Sequence, residues 1–262
     1  MPIVRFESIS PDITDLLGKS KETNSTFSIH FVNAFSLICM LQKKIATRVP
    51  EQNLVFVDGK PLHSYLRIFK KSTAVHVRGI DFLRQNLGKV ATTGIPQFLL
   101  TFDSEAESSI QRFCINMRIP LDSIRVRILE NSAKENTIPF LTDLSDLENS
   151  VVWIASGTPK QDIMAEAISR RFHCVTIGIG GALDMFLGNS KEAPYIFRKF
   201  ALEWLYRFIQ EPKRLFKRYS VGNIQFAFLL IYDYLKSKSF RKSRVTQNGN
   251  FLLLPDRWIR FP

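Results

Sequence analysis

The chain has 262 residues, 45% of them hydrophobic and 12% aromatic, with a formal net charge of +12 and a pI near 9.8. That length holds one large domain or two small ones, and the composition supplies a real core, which excludes a chain too polar to fold. The basic balance favours an anionic partner, whether nucleic acid, an anionic membrane or a phosphorylated substrate, without choosing among them.

The N-terminus, "MPIVRFESISPDITDLL", carries acids early and shows no apolar stretch followed by a cleavage site, so no signal peptide is expected. "TFSIHFVN" (Thr26 to Asn33) reads as a strand, and Ser36 through Lys44 as a helix. "NLVFVDG" (Asn53 to Gly59) reads as a buried strand ending at Asp58, and "TAVHVRG" as a further short one. "PQFLLTFDS", "SIRVRILEN", "SVVWIASG" and "FHCVTIGIGG" complete the strand series. "EAESSIQRFCINM" and "KQDIMAEAISRRF" are helical in pattern. Strands alternating with helices predict an α/β fold, a Rossmann-like, mostly parallel sheet covered on both faces. In such sheets ligands bind beyond the carboxyl ends of the strands. Asn33, Asp58, Asp103, the turn Gly157–Gln161 and the run Gly178–Asp184 all stand at those ends.

The turn "GTPKQD" leaves an apolar strand through glycine and opens a helix, whose free N–H groups suit an anion. Its plain alternative is an ordinary strand-to-helix connection capped by Thr158. Cys39, Cys114 and Cys174 sit in apolar runs without motif spacing and read as buried thiols. The four histidines show no ligand spacing.

After about Lys191 the pattern changes. "APYIFRKFALEWLYRFIQEPKRLFKRYSVGNIQFAFLLIYDYLKSKSFRK" mixes aromatic and cationic positions at helical spacing, broken in two at Glu211-Pro212. The division expected is 1–190 as core and 191–262 as a helical appendage and tail. Basic aromatic helices suit an anionic membrane surface, and the alternative is a helix docked on the core with a solvated basic face. No run reaches the roughly 18 apolar residues that a spanning helix needs. The tail reads as a loop followed by a short strand packing back on the core.

In order along the chain, "FVNAFSL", "VFVDGKPL", "RGIDFL", "GTPKQD", "IGIGGALDMFLG" and "LEWLYRFIQEPKRLFKRY" resemble the WecG/TagA/CpsF glycosyltransferase family, over about Ser28 to Tyr219. The resemblance implies an inverting, metal-independent transfer from a UDP-sugar to an undecaprenyl-diphosphate-linked sugar, in synthesis of cell-surface polysaccharide. Donors would carry N-acetylmannosamine, its uronic acid, glucose or a related sugar. It implies no cofactor, and a bacterial cytoplasmic enzyme peripheral to the inner face of the plasma membrane. A homo-oligomer is compatible with it, and no nucleic-acid partner is expected.

The resemblance also assigns residues. Asp58 matches the proposed catalytic aspartate, which partial burial would make a better base. Asn33 and Gln161 match pocket residues, with Gly157, Pro159, Gly180, Gly181 and Asp184 beside them as substrate-binding candidates. Arg207, Arg214, Lys217 and Arg218 fall on the basic appendage, where cations would hold diphosphate or membrane. No Asp-x-Asp pair follows a strand to hold a metal, in keeping with a protein cation at the leaving group. The chain departs from the family at several points. His76 stands where an arginine is usual, with Arg78 two residues on. Thr101-Phe102-Asp103-Ser104 replaces a glycine-rich turn, Glu192 replaces arginine, and Phe31 a common threonine. A protonated His76 beside a diphosphate would take over the arginine's part; the rival is that Arg78 fills the place while His76 packs. Two other readings stay open: a degenerate, non-catalytic relative that binds the lipid-linked intermediate or a synthesis partner, motivated by His76 and the lost glycines, and a basic Rossmann-like RNA-binding protein, supported only by charge and aromatics.

Overall fold

The computed structural model describes residues 3–8, 12–23, 26–42, 53–129, 145–240 and 251–253. Among the described residues six strands form one all-parallel sheet: β2 (Phe27–Val32), β3 (Asn53–Val57), β4 (Gln97–Thr101), β5 (Ile124–Ile128), β6 (Val151–Ala155) and β7 (Val175–Gly178). Their spatial order is β3-β2-β7-β6-β4-β5. The central strands are apolar almost throughout because both faces are covered, as parallel sheets require. One face packs Ile29, Phe31, Phe56, Leu99, Trp153 and Ile177 against α1 (Ile13–Thr23), α4 (Gly79–Ala91) and α5 (Ala106–Met117). On the other face Val55 and Val57 meet α2 (Ala34–Gln42) and α3 (Lys60–Lys70), while Phe98, Leu100, Val152 and Ile154 meet α6 (Lys160–Ser169). This α/β, Rossmann-like architecture is the one the strand pattern predicts.

Three expectations change in detail. The stretch "TAVHVRG" makes only a single parallel bridge, Val57 to His76, before the chain turns into α4 at Gly79. The helix expected to reach Phe172 stops at Ser169, where the N–H groups of Arg171 and Phe172 both fall back on the Ile168 carbonyl. The helix expected at Ser36 begins two residues earlier, at Ala34, because Asn33 and Ser36 cap it reciprocally: Ser36 N–H donates to Asn33 Oδ1 (3.1 Å) and Asn33 N–H to Ser36 Oγ (2.7 Å). Residues 43 and 44 lie outside the described residues.

Past β7 the described residues form four helices, α7 (Ala182–Phe186), α8 (Tyr195–Lys199), α9 (Glu203–Gln210) and α10 (Pro212–Phe240). The break between the last two falls at Glu211, with Pro212 opening α10, where its missing N–H costs nothing. α10 lies on the core. Phe226 and Leu229 are buried with Leu37, Leu62 and Leu66, and Gly222 lets Phe35 approach so closely that an added Cβ would stand 3.3 Å from its ring. Deeper along the helix, Asp233 is fully buried, 3.0 Å from the Lys70 ammonium and 2.6 Å from the Tyr65 hydroxyl. A strand of the tail, β8 (Phe251–Leu253), pairs antiparallel with β1 (Ile3–Arg5) and so returns the chain to its start; residues 241–250 and 254–262 lie outside the described residues. No helix among the described residues is long and apolar enough to cross a membrane.

The Lys70–Asp233 pair yields a stability test. Lys70→Met removes the ammonium and leaves the Asp233 carboxylate in the interior, a change that costs about 3–5 kcal/mol. Chemical denaturation should show a loss of about 3 kcal/mol, and a loss under about 1 kcal/mol would mean that the pair does not anchor α10.

Candidate active site

Beyond the carboxyl ends of the strands lies a cleft of about 860 Å³, within the range of small-ligand sites. The loops that follow β2, β3, β4, β6 and β7 all contribute to it. β2 delivers Asn33, β3 delivers Asp58 and Lys60, and Arg78 and Gly79 enter with α4. β4 ends in Thr101, Phe102 and Asp103. β6 leads through Gly157 to Gln161, and β7 through Gly180 and Gly181 to Asp184. The fourth wall comes from the C-terminal segment: Glu203, Trp204 and Arg207 of α9, and Asn223 and Phe226 of α10.

Glycines set how closely these loops meet. A Cβ on Gly59 would come within 3.1 Å of Asn33 Cβ, so the loops after β2 and β3 touch only because Gly59 has none. Gly180 has φ +49, and its Cβ would lie 2.6 Å from Gln161 Oε1. Gln161 itself is buried and donates from Nε2 to the Gly178 carbonyl at 3.4 Å, while its Oε1 has no hydrogen-bond partner among the described residues. No side chain caps α6, Thr158 included. Its first turn is held instead by a buried pair that sequence reading missed, His30 Nδ1 to Asp162 Oδ1 at 2.9 Å. A lone histidine inside an apolar strand gave no signal of that partner.

Asp58 lines the cleft. Burial pushes its carboxyl above the usual carboxylate range. Arg207 pulls it down, Glu203 pushes it up, and the Gly79 N–H, which donates to it, and Arg78 pull it down. Arg78 is itself almost enclosed, its side chain 10% exposed. The guanidinium reaches Glu192 at 2.7 Å, Asp81 at 3.2 Å and Glu203 at 3.6 Å. Burial opposes its charge, but the Glu192 hydrogen bond and the other two carboxylates outweigh that and raise its pKa. Glu192, which stands where arginine is usual, gathers Arg84 at 2.9 Å and Arg198 at 3.4 Å as well. By contrast Arg207 has no carboxylate at ion-pair distance among the described residues; its Nη2 lies 3.3 Å from Met185 Sδ.

The remaining candidates are placed as follows. His76 lies behind the cleft and not on its wall, with Nε2 3.0 Å from the Asp58 carbonyl oxygen and its ring 5.4 Å from that of His63. Pro159 also stays off the wall. Arg214, Lys217 and Arg218 belong to α10, and their side chains lie outside the described residues. The replaced turn after β4 puts the Phe102 ring on the wall with Lys160 Nζ 5.0 Å from its centroid, and Asp103 Oδ2 3.3 Å from Asn189 Nδ2. Among the described residues no group of three His, Cys, Asp or Glu side chains is arranged to hold a metal ion.

The description "Glycosyl transferase WecG/TagA/CpsF family" matches residues 4–240 of the chain. The chain belongs to that family. It is a glycosyltransferase, and the resemblance read from its motifs is thereby shown. Relatives named N-acetylglucosaminyldiphosphoundecaprenol N-acetyl-beta-D-mannosaminyltransferase, from Staphylococcus aureus strains MRSA252 and NCTC 8325, are each 25% identical over 191 residues, 72% of this chain and 72% of their own. The motif-based reading named Asp58, Asn33, Gln161 and Arg207 for the site, and the fold brings all four to one cleft. It passed over Glu203 and Lys60. Glu203 carried a signal: it opens the Glu-Trp-Leu-Tyr-Arg block one helical turn before Arg207.

The setting of His76 gives a pH prediction. Burial, the largest influence, holds its pKa below the ordinary histidine value, against the Asp58 hydrogen bond and the charge of Glu203. The folded protein then binds fewer protons at this position than the unfolded chain. The stability His76 contributes is full above its unfolded pKa of about 6.5 and is lost as the pH falls toward the folded value. Relative to His76→Gln, the wild-type Tm should drop between about pH 7 and pH 5. Parallel melting curves for the two proteins across that range would contradict it.

Proposed function

We propose that this glycosyltransferase moves a sugar, with inversion, from a UDP-sugar to an undecaprenyl-diphosphate-linked sugar, with Asp58 as general base. The donor sugar would be N-acetylmannosamine, as the printed names of the relatives suggest, or its uronic acid, glucose or a close analogue. The observation that carries the reading is the pairing in the cleft: a carboxyl made more basic by burial, with an arginine free of carboxylate partners among the described residues brought beside it by α9. Asp58 takes the proton of the acceptor hydroxyl as its oxygen attacks the anomeric carbon. The bond from that carbon to the β-phosphate oxygen breaks on the opposite face. The diphosphate leaves with the electron pair, stabilised by Arg207. Gln161, with an unsatisfied buried acceptor, suits a donor group of the nucleotide or sugar.

Residues 191–262 would serve the acceptor and the membrane. Tyr195, Ile196, Phe200, Ile209, Phe216 and Phe228 are exposed there, with Lys199 and Lys213 among them. An apolar surface studded with cations suits an anionic bilayer, which would present the lipid-linked acceptor at the α9 side of the cleft. The enzyme would work at the cytoplasmic face.

One assay tests both parts. UDP-sugars are screened with a GlcNAc-diphospholipid acceptor in anionic vesicles, with and without EDTA. The protein should sediment with the vesicles and release UDP with at least one donor, only when acceptor is present, and at the same rate in EDTA. No UDP release with any donor would overturn the catalytic reading and favour a non-catalytic relative. A strict Mg²⁺ requirement would put ligands at Asp58, Asp103 or Asp184, and protein left in the supernatant would overturn the membrane role.

A further inference from the structure

Two arginines reach the cleft, and their surroundings divide them. Arg78 is enclosed by Asp81, Glu192 and Glu203. Arg207 lines the same cleft with no carboxylate at ion-pair distance among the described residues, and its Nη2 donates to Met185 Sδ. Both Glu203 and Arg207 belong to α9, one turn apart and on the same wall, yet they form no ion pair with each other. Glu203 instead turns to Arg78 Nε at 3.6 Å. A carboxylate that neutralised Arg207 would remove a cleft cation that has no carboxylate partner among the described residues; directed at Arg78, it spends an arginine that is already enclosed. Resting on the transfer reading above, we propose that Glu203 is a positioning residue of the reaction: its carboxylate pins Arg78 against the wall beside Asp58, so that Arg207 alone of the two meets the diphosphate.

The arrangement has an electrostatic consequence at the base. The charged groups facing Asp58 are Arg207 and Glu203 from α9 and Arg78 from the entry to α4, with the Gly79 N–H donating to it. His76 bonds its carbonyl, and Lys60 and Asp184 stand on the same wall. Glu203 is the carboxylate among these that opposes ionisation of Asp58. With Glu203 ionised, Asp58 holds its proton to higher pH and is the stronger base once ionised. Removing that charge while keeping the shape must lower the pKa of Asp58, so the ionised base would persist to lower pH.

The test uses the full chain and four proteins: wild type, Glu203→Gln, Glu203→Asp and Arg207→Gln. Two quantities are read, the pH profile of kcat/KM for transfer and the affinity for free UDP by calorimetry. Glu203→Gln should move the acid limb down by about half a pH unit or more, with UDP affinity within about threefold of wild type; Glu203→Asp should restore the limb. Arg207→Gln should weaken UDP about tenfold or more. An unmoved acid limb in Glu203→Gln would overturn the proposal. So would a loss of UDP affinity in Glu203→Gln as large as that in Arg207→Gln, since it would put Glu203 on the ligand. Wild type that neither binds UDP nor transfers sugar would instead remove the transfer reading on which the proposal rests, and the proposal with it.

Discussion

A guanidinium taken out of water is costly unless carboxylates surround it, and Arg78 is surrounded by three. They come from different parts of the chain: Asp81 from the first turn of α4, Glu192 from the segment after α7, and Glu203 from the start of α9. The cage joins the sheet to the C-terminal helices at the point where the cleft opens. Glu192 extends it by holding Arg84 and Arg198, and Lys60, two residues past Asp58, donates to the carbonyl of Arg198 at the end of α8. The loop that bears Asp58 and the segment that bears Arg207 are therefore bound to the same set of charges. Farther along, Asp233 with Lys70 and Tyr65 anchors the long helix on α3.

The character of the site follows from that closure. Glu203 and Arg207 of α9 line the cleft with Asp58 and act on its charge, and burial makes the carboxyl more basic. The same helix supplies a carboxylate and a guanidinium that pull Asp58 in opposite directions. In the proposed transfer, which arginine would face the ligand follows from which carboxylates are within reach of each. The departures from the family pattern fit this arrangement. Glu192 sits among three arginines, where a fourth cation would repel them, and His76 is held on the Asp58 carbonyl, where burial keeps it below the usual histidine range.

The sheet was legible because its strands are apolar on both faces. "VVWIA" and "QFLLT" can bury nothing less than a whole strand, and the helices between them fix a parallel order. The location of the cleft was legible for the same reason, since Asn33, Asp58 and Gln161 each follow a strand. The side-chain partners were not. Arg78 reads from the sequence as a free cation near a phosphate site, and two of its three carboxylates lie far along the chain. Likewise the imidazole of His76 reads as available, while its burial depends on His63 and on the single bridge to Val57. The docking of α10 was ambiguous because its apolar residues run around the helix: Phe226 and Leu229 face the core, while Ile224, Phe228 and Ile231 face outward. No single stripe marks the buried side.

The claim on which the rest turns is that Asp58 removes a proton from the acceptor in the cleft that α9 closes. Asp58→Asn keeps the shape of the side chain and removes its basicity. Its transfer rate, measured beside its affinity for UDP, tests the claim most directly. The account predicts a fall in rate of about 10²–10⁴-fold with UDP bound about as tightly as by wild type. A variant that transfers sugar within a few-fold of the wild-type rate would contradict it.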